Sequence, residues 1–302
     1  MKVTQSAQMR ITLILLILVS SVIQSLGCNN HVAEKTTHQK PERIISLAPN
    51  ITEILFAIGA GDRIVAVSNF DVFPPSVDNL PKIGGYMNPD IESIIQLKPD
   101  IVITLEGRWD FAERLNQLGI ECWTLKIETY EQILDAISVL GNKMDHEEKA
   151  GELVSSIRSE ISELALSHGK KPRTIVVVGS TPGLLSNIYV AGKGSFINDL
   201  IEFTGGINVY ADMNSAYVET STEQIIARQP DIIIECLPGY NLDPDDIEAR
   251  KQSWQKLGNF PAANHARIYI LTDDFILIPG PRITVTAHYF ADIITDFGID
   301  TK

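Results

Sequence analysis

Glu92-Ser93-Ile94-Ile95-Gln96-Leu97-Lys98-Pro99-Asp100-Ile101-Val102-Ile103 recurs, with substitutions, as Glu223-Gln224-Ile225-Ile226-Ala227-Arg228-Gln229-Pro230-Asp231-Ile232-Ile233-Ile234. Every matched pair is 131 positions apart, from Glu92 and Glu223 to Ile103 and Ile234. Both copies hold Glu, an Ile-Ile pair, Pro-Asp and a β-branched run in one register. A fixed offset of that size predicts two lobes built on one plan. A two-lobed protein usually keeps its ligand in the cleft between the lobes. Each lobe would present one Glu in an equivalent place.

Outward from the block, strands and helices alternate. Arg43 to Ala48, Arg63 to Ser68, Ile101 to Leu105 and Gly119 to Leu125 are apolar, strand-like runs. Between them, Ile51, Ile54, Leu55 and Ile58 make one helix face, with Asn50 and Glu53 resembling a capping box. Asp90 suits the cap of the Glu92 helix, and helices are also expected over Ala112 to Leu118 and Glu131 to Leu140. The loop from Asn69 to Gly85 is long enough to be functional. Asp145 to Ser167 carries the longest uninterrupted helical pattern, with Asp145 as its expected cap. In the second lobe Arg173 to Gly179, Ile232 to Ile234 and Arg267 to Leu271 are strands. Ser195 to Phe203 and Ile283 to Phe297 are helices, and Ser221 with Gln224 forms a capping-box pair.

The alternation predicts an α/β fold: two Rossmann-like lobes with mainly parallel sheets, joined by one long backbone helix. The expected boundaries are 1–27 for a signal peptide, 28–42 for a tether, 43–144 for the N-terminal lobe, 145–168 for the interlobe helix and 172–302 for the C-terminal lobe.

The 302 residues carry a formal charge of −13. Nucleic-acid binding needs clustered Lys and Arg, so that class is disfavoured. Mean hydropathy of +0.06 is too low for a multi-span membrane protein. Lys2 and Arg10 precede the nearly all-apolar run Ile11 to Ile23, which reads as an export signal. Ser25 and Gly27 fit an ordinary signal-peptidase site, and Gly27-Cys28 fits a lipoprotein site. Cys28 is the expected lipidation site and would anchor the chain outside the cytoplasm. Cys122 and Cys236 read as two buried free thiols.

The ordered set Ser46-Leu47-Ala48-Pro49-Asn50-Ile51-Thr52-Glu53-Ile54, Val67-Ser68-Asn69-Phe70-Asp71-Val72-Phe73-Pro74-Pro75, Gly84-Gly85-Tyr86-Met87-Asn88, Ala191-Gly192-Lys193-Gly194-Ser195, Thr204-Gly205-Gly206 and Pro281-Arg282-Ile283 adds to the repeat. Together these segments resemble the periplasmic substrate-binding proteins of ABC importers for cobalamin, haem and ferric siderophores, with the cobalamin binders nearest. The resemblance runs from about Arg43 to the C-terminus. It implies no enzyme activity and no resident cofactor. It implies a transported metal chelate and, as partner, an ABC permease dimer driven by a cytoplasmic ATPase. The chain is expected to be a monomer.

By that resemblance Glu92 and Glu223 dock on the two permease subunits. Two carboxylates held apart on a rigid body fix orientation on a twofold partner, and opposite charge speeds encounter. Phe70, Tyr86, Trp109, Tyr189, Tyr217 and Phe275 are the expected aromatic lining, all read as lying in or beside loops. Rings bury flat ligands well, and Tyr adds a hydroxyl. Asp274, or Asp273 beside it, would accept bonds from ligand amides, and Arg282 would meet an anionic ligand or hold structure. The histidines do not converge as a metal site requires: His31 and His38 lie in the tether, His146 and His168 bracket the long helix, and His265 and His288 stand apart. No nucleophile elbow or P-loop occurs. A metal-dependent extracytoplasmic hydrolase is the distant enzyme alternative.

Overall fold

The apolar runs become strands of two separate sheets. A computed structural model describes residues 40–85, 87–107, 109–164, 171–181 and 184–300. The signal and tether up to residue 39, with Cys28, and also Tyr86 and His168, lie outside the described residues.

The first sheet uses β1 (Ile44–Ser46), β2 (Ile64–Val67), β5 (Ile101–Leu105) and β6 (Glu121–Leu125), in the order β2-β1-β5-β6, all parallel. Between β2 and β5 a two-stranded hairpin pairs β3 (Gly84–Gly85) with β4 (Asn88–Pro89). Parallel strands need crossovers, and the helices Pro49–Ala57, Ile91–Leu97, Trp109–Gln117 and Tyr130–Lys143 lie in the stretches between and after the strands.

The second sheet is mixed. It contains β7 (Arg173–Gly179), β8 (Ile188–Ala191), β9 (Ile207–Asn208), β10 (Tyr217–Thr220), β11 (Ile232–Cys236) and β12 (Ile268–Leu271). Its order is β10-β8-β7-β11-β12, with β9 also on β7. The strands β7, β11 and β12 run parallel, while β8 is antiparallel to β7 and β10 to β8. The added antiparallel pair is the departure from a purely parallel plan.

Side chains alternate faces along a strand, and the burial follows that rule. Ile44, Ile101 and Ile103 point into one cluster, while Ile45 and Val102 point into another on the opposite face. In the second sheet Val176, Ile232, Ile234 and Cys236 join the first cluster, and Ile175, Val177 and Ile233 form a third. One apolar core is therefore shared by the inner faces of both sheets and the helices between them. Burying each such Ile or Val is worth roughly 1.5–3 kcal/mol.

The long helix runs Glu147–Glu163 and packs on Tyr130–Lys143, Ile283–Asp300 and Pro49–Ala57. At about 1.5 Å per residue it is roughly 25 Å long. Asp145 is not its cap. Only three residues separate it from the preceding helix, and the chain reverses there with Asp145 at φ 58° and His146 in the cap position. Asp tolerates that left-handed backbone, so turning displaces capping. Asn50 and Glu53 form no capping box either. Pro49 opens the first helix after Ala48, Asn50 accepts from the Ile51 amide, and Glu53 turns to the distant Arg282.

Candidate functional site

The repeated segment folds the same way twice, down to its hydrogen bonds. Asp90 caps the Ile91–Leu97 helix by accepting from the amides of Glu92 and Ser93. Ser221 caps the Thr222–Ala227 helix by accepting from the Gln224 amide. Gln224 does not complete the box, because its side chain accepts from Thr220 Oγ1 instead. Both helices stop at a left-handed residue, Lys98 and Gln229, each at φ 47°. An arginine then closes each end. Arg43 donates to Leu97 O at 2.6 Å and Lys98 O at 3.1 Å, and Arg173 donates to Arg228 O at 2.7 Å and Gln229 O at 3.4 Å. These are the carbonyls a helix leaves unpaired. Asp100 accepts from the amides of Glu42 and Arg43, and Asp231 from the amide of Arg173.

These bonds fix the direction of each helix. Arg43 and Arg173 stand at the amino ends of β1 and β7, so the helix C-termini lie there and the N-termini point to the carboxyl edge. In the first half the Asp90 amide reaches Ile83 O, and the Ile83 amide reaches Val67 O at the end of β2. In the second half Ser221 follows Thr220, which pairs with Ile188, and β8 starts beside the carboxyl end of β7. Glu92 and Glu223 are both solvent-exposed in the first helical turn. A hydrogen bond from Ser221 holds the Glu223 carboxyl below its ordinary range.

The same edge carries exposed aromatics. Phe70, 66% exposed, follows β2 and lies on Gly85, where an added Cβ would come within 2.6 Å of its ring. The backbone of β3 thus serves as a seat for the ring, which glycine alone permits without displacement. Tyr189 and Tyr217 are not in loops: they sit on β8 and β10, at 43% and 46% exposure. Tyr217 pairs with Ala191 and Tyr189 with Glu219. The two tyrosines are therefore diagonal neighbours on one face, within aromatic reach. That face is the inner one, because Ala191 joins the shared core while Ile188 and Val190 face the outer cluster. Burial pushes the Tyr217 phenol up. Trp109 opens the Trp109–Gln117 helix.

Arg282 stands just before the last helix. Its Nε and NH2 donate to Glu53 at 3.1 and 2.6 Å, and its NH1 and NH2 donate to Asp274 at 3.2 and 3.3 Å. Its guanidinium carbon lies 4.3 Å from the Phe73 ring centroid and 5.2 Å from that of Phe275. Phe275 also packs on Tyr289, with centroids 5.9 Å apart. Burial works against the Arg282 charge, but the bonds to Glu53 and Asp274 outweigh it, and its pKa rises. Burial pushes the Glu53 carboxyl up, with Arg282 pulling back. Beneath lies Asp71, also pushed up by burial, bonded to the Ser68 amide and hydroxyl. The Lys82 ammonium holds the Asp71 carbonyl.

Arg282 and Asp274, read singly from the sequence, are thus each other's partners. Phe73, Glu53 and Asp71 were missed. Phe73 was visible in the Phe70-Asp71-Val72-Phe73-Pro74-Pro75 run, but Glu53 lies 229 residues from Arg282, and no local pattern joins them. No group of three or more His, Cys, Asp or Glu suited to a metal occurs among the described residues. His146 lies 3.2 Å from Arg63, and His265 and His288 are exposed. Cys122 and Cys236 are free thiols, the first only half-buried.

The family profile described as periplasmic binding protein matches residues 44–275. The chain belongs to that family. Its members bind solutes and are not enzymes, so the hydrolase alternative is set aside. A vitamin B12-binding protein of Vibrio parahaemolyticus is 31% identical over 261 residues, covering 82% of this chain and 89% of the relative. An ABC transporter substrate-binding lipoprotein of Bacillus subtilis, YvrC, is 28% identical over 273 residues, covering 86% and 82%. The periplasmic haem-binding protein RhuT of Roseiflexus superposes with a TM-score of 0.71 at 25% identity, covering 85% of this chain and 99% of RhuT. This periplasmic binding protein is an extracytoplasmic substrate-binding protein of the ABC-importer type.

Proposed function

We propose that this chain captures a corrinoid, cobalamin or a close relative, at the aromatic edge and hands it to an ABC permease through Glu92 and Glu223. The observation that carries the reading is the placement of Phe70, Tyr189 and Tyr217, exposed rings at the edge to which both glutamates point. Large rings left in water are costly unless a ligand covers them, and contiguous exposed apolar surface marks binding sites.

Charge favours a corrinoid over haem. Glu53 and Asp274 bond Arg282, and Asp71 acts on Glu53 with Lys82 beside it, so three carboxylates stand against two cations in this group. A porphyrin with two carboxylates meets repulsion there, whereas neutral amides find acceptors in Asp274. Haem iron also wants an axial ligand from the protein. No histidine is among the rings and charged groups named at this edge. Cobalamin and siderophores bring their metal already ligated. A ferric siderophore is the alternative within the family. The proposed organisation keeps a lobe on either side of the long helix, Cys28 as lipid anchor and a monomeric receptor.

Titration of intrinsic fluorescence with cyanocobalamin, haemin and ferrichrome tests the reading. Saturable quenching by stoichiometric cyanocobalamin, with a corrinoid spectrum co-eluting with the protein, is the expected result. A Soret band with haemin, or a response to ferrichrome alone, would overturn the corrinoid assignment.

A further inference from the structure

The Glu53–Arg282 pair joins the two ends of the fold. Glu53 belongs to the helix that follows β1, and Arg282 to the loop that follows β12. Their side chains are 2% and 17% exposed. Glu53 meets Arg282 fork to fork, a geometry that fixes the plane of the guanidinium as well as its position. Asp274 holds a second edge. Four hydrogen bonds occupy a side chain that has five N–H donors, so Arg282 has little left for a ligand anion. The loop before it closes on the same helix: at Gly280 an added Cβ would stand 3.5 Å from Asn50 Cα and 3.6 Å from Glu53 Oε2.

What the fixed guanidinium holds is aromatic. Phe73 comes from the loop after β2, and Phe275 from the loop after β12, and each ring lies within cation–π range of Arg282. A buried ion pair is a weak source of stability, since desolvation offsets its attraction, and its better-attested use is to specify one arrangement. The raised Glu53 pKa agrees. A carboxyl whose folded value lies above its unfolded one adds stability below the ordinary glutamate range and loses it as pH rises through the folded value.

We propose that Glu53 is the positioning residue of the ligand cleft: by fixing the Arg282 guanidinium it sets the spacing of Phe73 and Phe275, one ring from each half, against which the ligand packs. The proposal rests on the cleft reading above, and its test has one arm that needs no ligand. In a Phe73→Trp protein the added indole reports on ring position. Its quenching by acrylamide should rise severalfold when Glu53→Gln is introduced, both proteins being compared well below their thermal midpoints, because removing one charge of a buried pair lowers stability. In the unlabelled chain, Glu53→Gln should weaken cyanocobalamin binding about tenfold, the equivalent of one lost charge-assisted hydrogen bond. Equal quenching in the two backgrounds overturns the proposal, whether or not a probe binds. An unchanged cyanocobalamin affinity in Glu53→Gln overturns it as well. If quenching responds but cyanocobalamin, haemin and ferrichrome all fail to bind the wild-type chain, the corrinoid reading falls and the positioning of the rings stands.

Discussion

The two copies of the Glu-to-Ile segment agree where the backbone is concerned and disagree in what surrounds them. Each is a short capped helix, a left-handed stop, an arginine collar and a strand entering the sheet beside its neighbour. The first copy belongs to a sheet of four parallel strands; the second belongs to one extended by the antiparallel pair β8 and β10. The shared part ends in an exposed glutamate. The unshared part bears the rings: Phe70 and Phe73 on a loop in one half, Tyr189 and Tyr217 on strands in the other. A partner with twofold symmetry asks for equivalence, and an asymmetric ligand asks for difference. On the proposed function, the molecule divides along that line.

The largest effect should come from the equivalent part. Glu92→Arg with Glu223→Arg should abolish ATP-driven uptake of cyanocobalamin in reconstituted vesicles while leaving its affinity for the isolated receptor unchanged. Each single reversal should leave partial uptake, because one correctly charged contact remains. Uptake at the wild-type rate in the double variant would remove the docking role. Lost affinity would show instead that the two functions are not separable.

The unequal part comes next. Tyr189→Ala with Tyr217→Ala strips one face of β8 and β10, and Phe70→Ala strips the Gly85 seat. Truncating a ring that packs on ligand costs on the order of 1–2 kcal/mol, or tenfold or more in affinity. Both variants should weaken cyanocobalamin binding in equilibrium titration and leave uptake of pre-bound ligand intact. A loss confined to one half would mean that the ligand rests on that half alone.

How much of this could be read from sequence follows from where the information sits. The strands β1, β2, β5, β6, β7, β11 and β12 are apolar runs between turn residues, and all seven were legible. The pair β8 and β10 was not: each is four residues long with an exposed tyrosine, so Tyr189 and Tyr217 read as loop residues. The helix Pro244–Gln255 was also missed. It buries only Arg250 and Trp254, so it offers no apolar stripe. Arg250 is instead bonded to the fully buried Glu235, which also accepts from Trp254. The equivalent first-turn positions of Glu92 and Glu223 were legible because repetition itself is a pattern. Glu53 was not, because its partner is remote in the chain and its neighbours suggest a cap.

The smallest expected effect sharpens the comparison most directly, because it contrasts the same residue in the two copies. Asp100 is exposed and accepts from two amides at 2.8 and 2.9 Å. Asp231 is 8% exposed and accepts from the Arg173 amide at 2.9 Å. Removing an acceptor near water lets water replace it, whereas removing a buried one leaves a donor unpaired at about 1–3 kcal/mol. Asp231→Ala should therefore lower the denaturation free energy by about 2 kcal/mol, and Asp100→Ala by about 1 kcal/mol or less. Chemical denaturation with an unchanged slope would isolate the stability term. Equal losses would mean that water reaches both amides alike, and that the two copies differ only in the strands beside them.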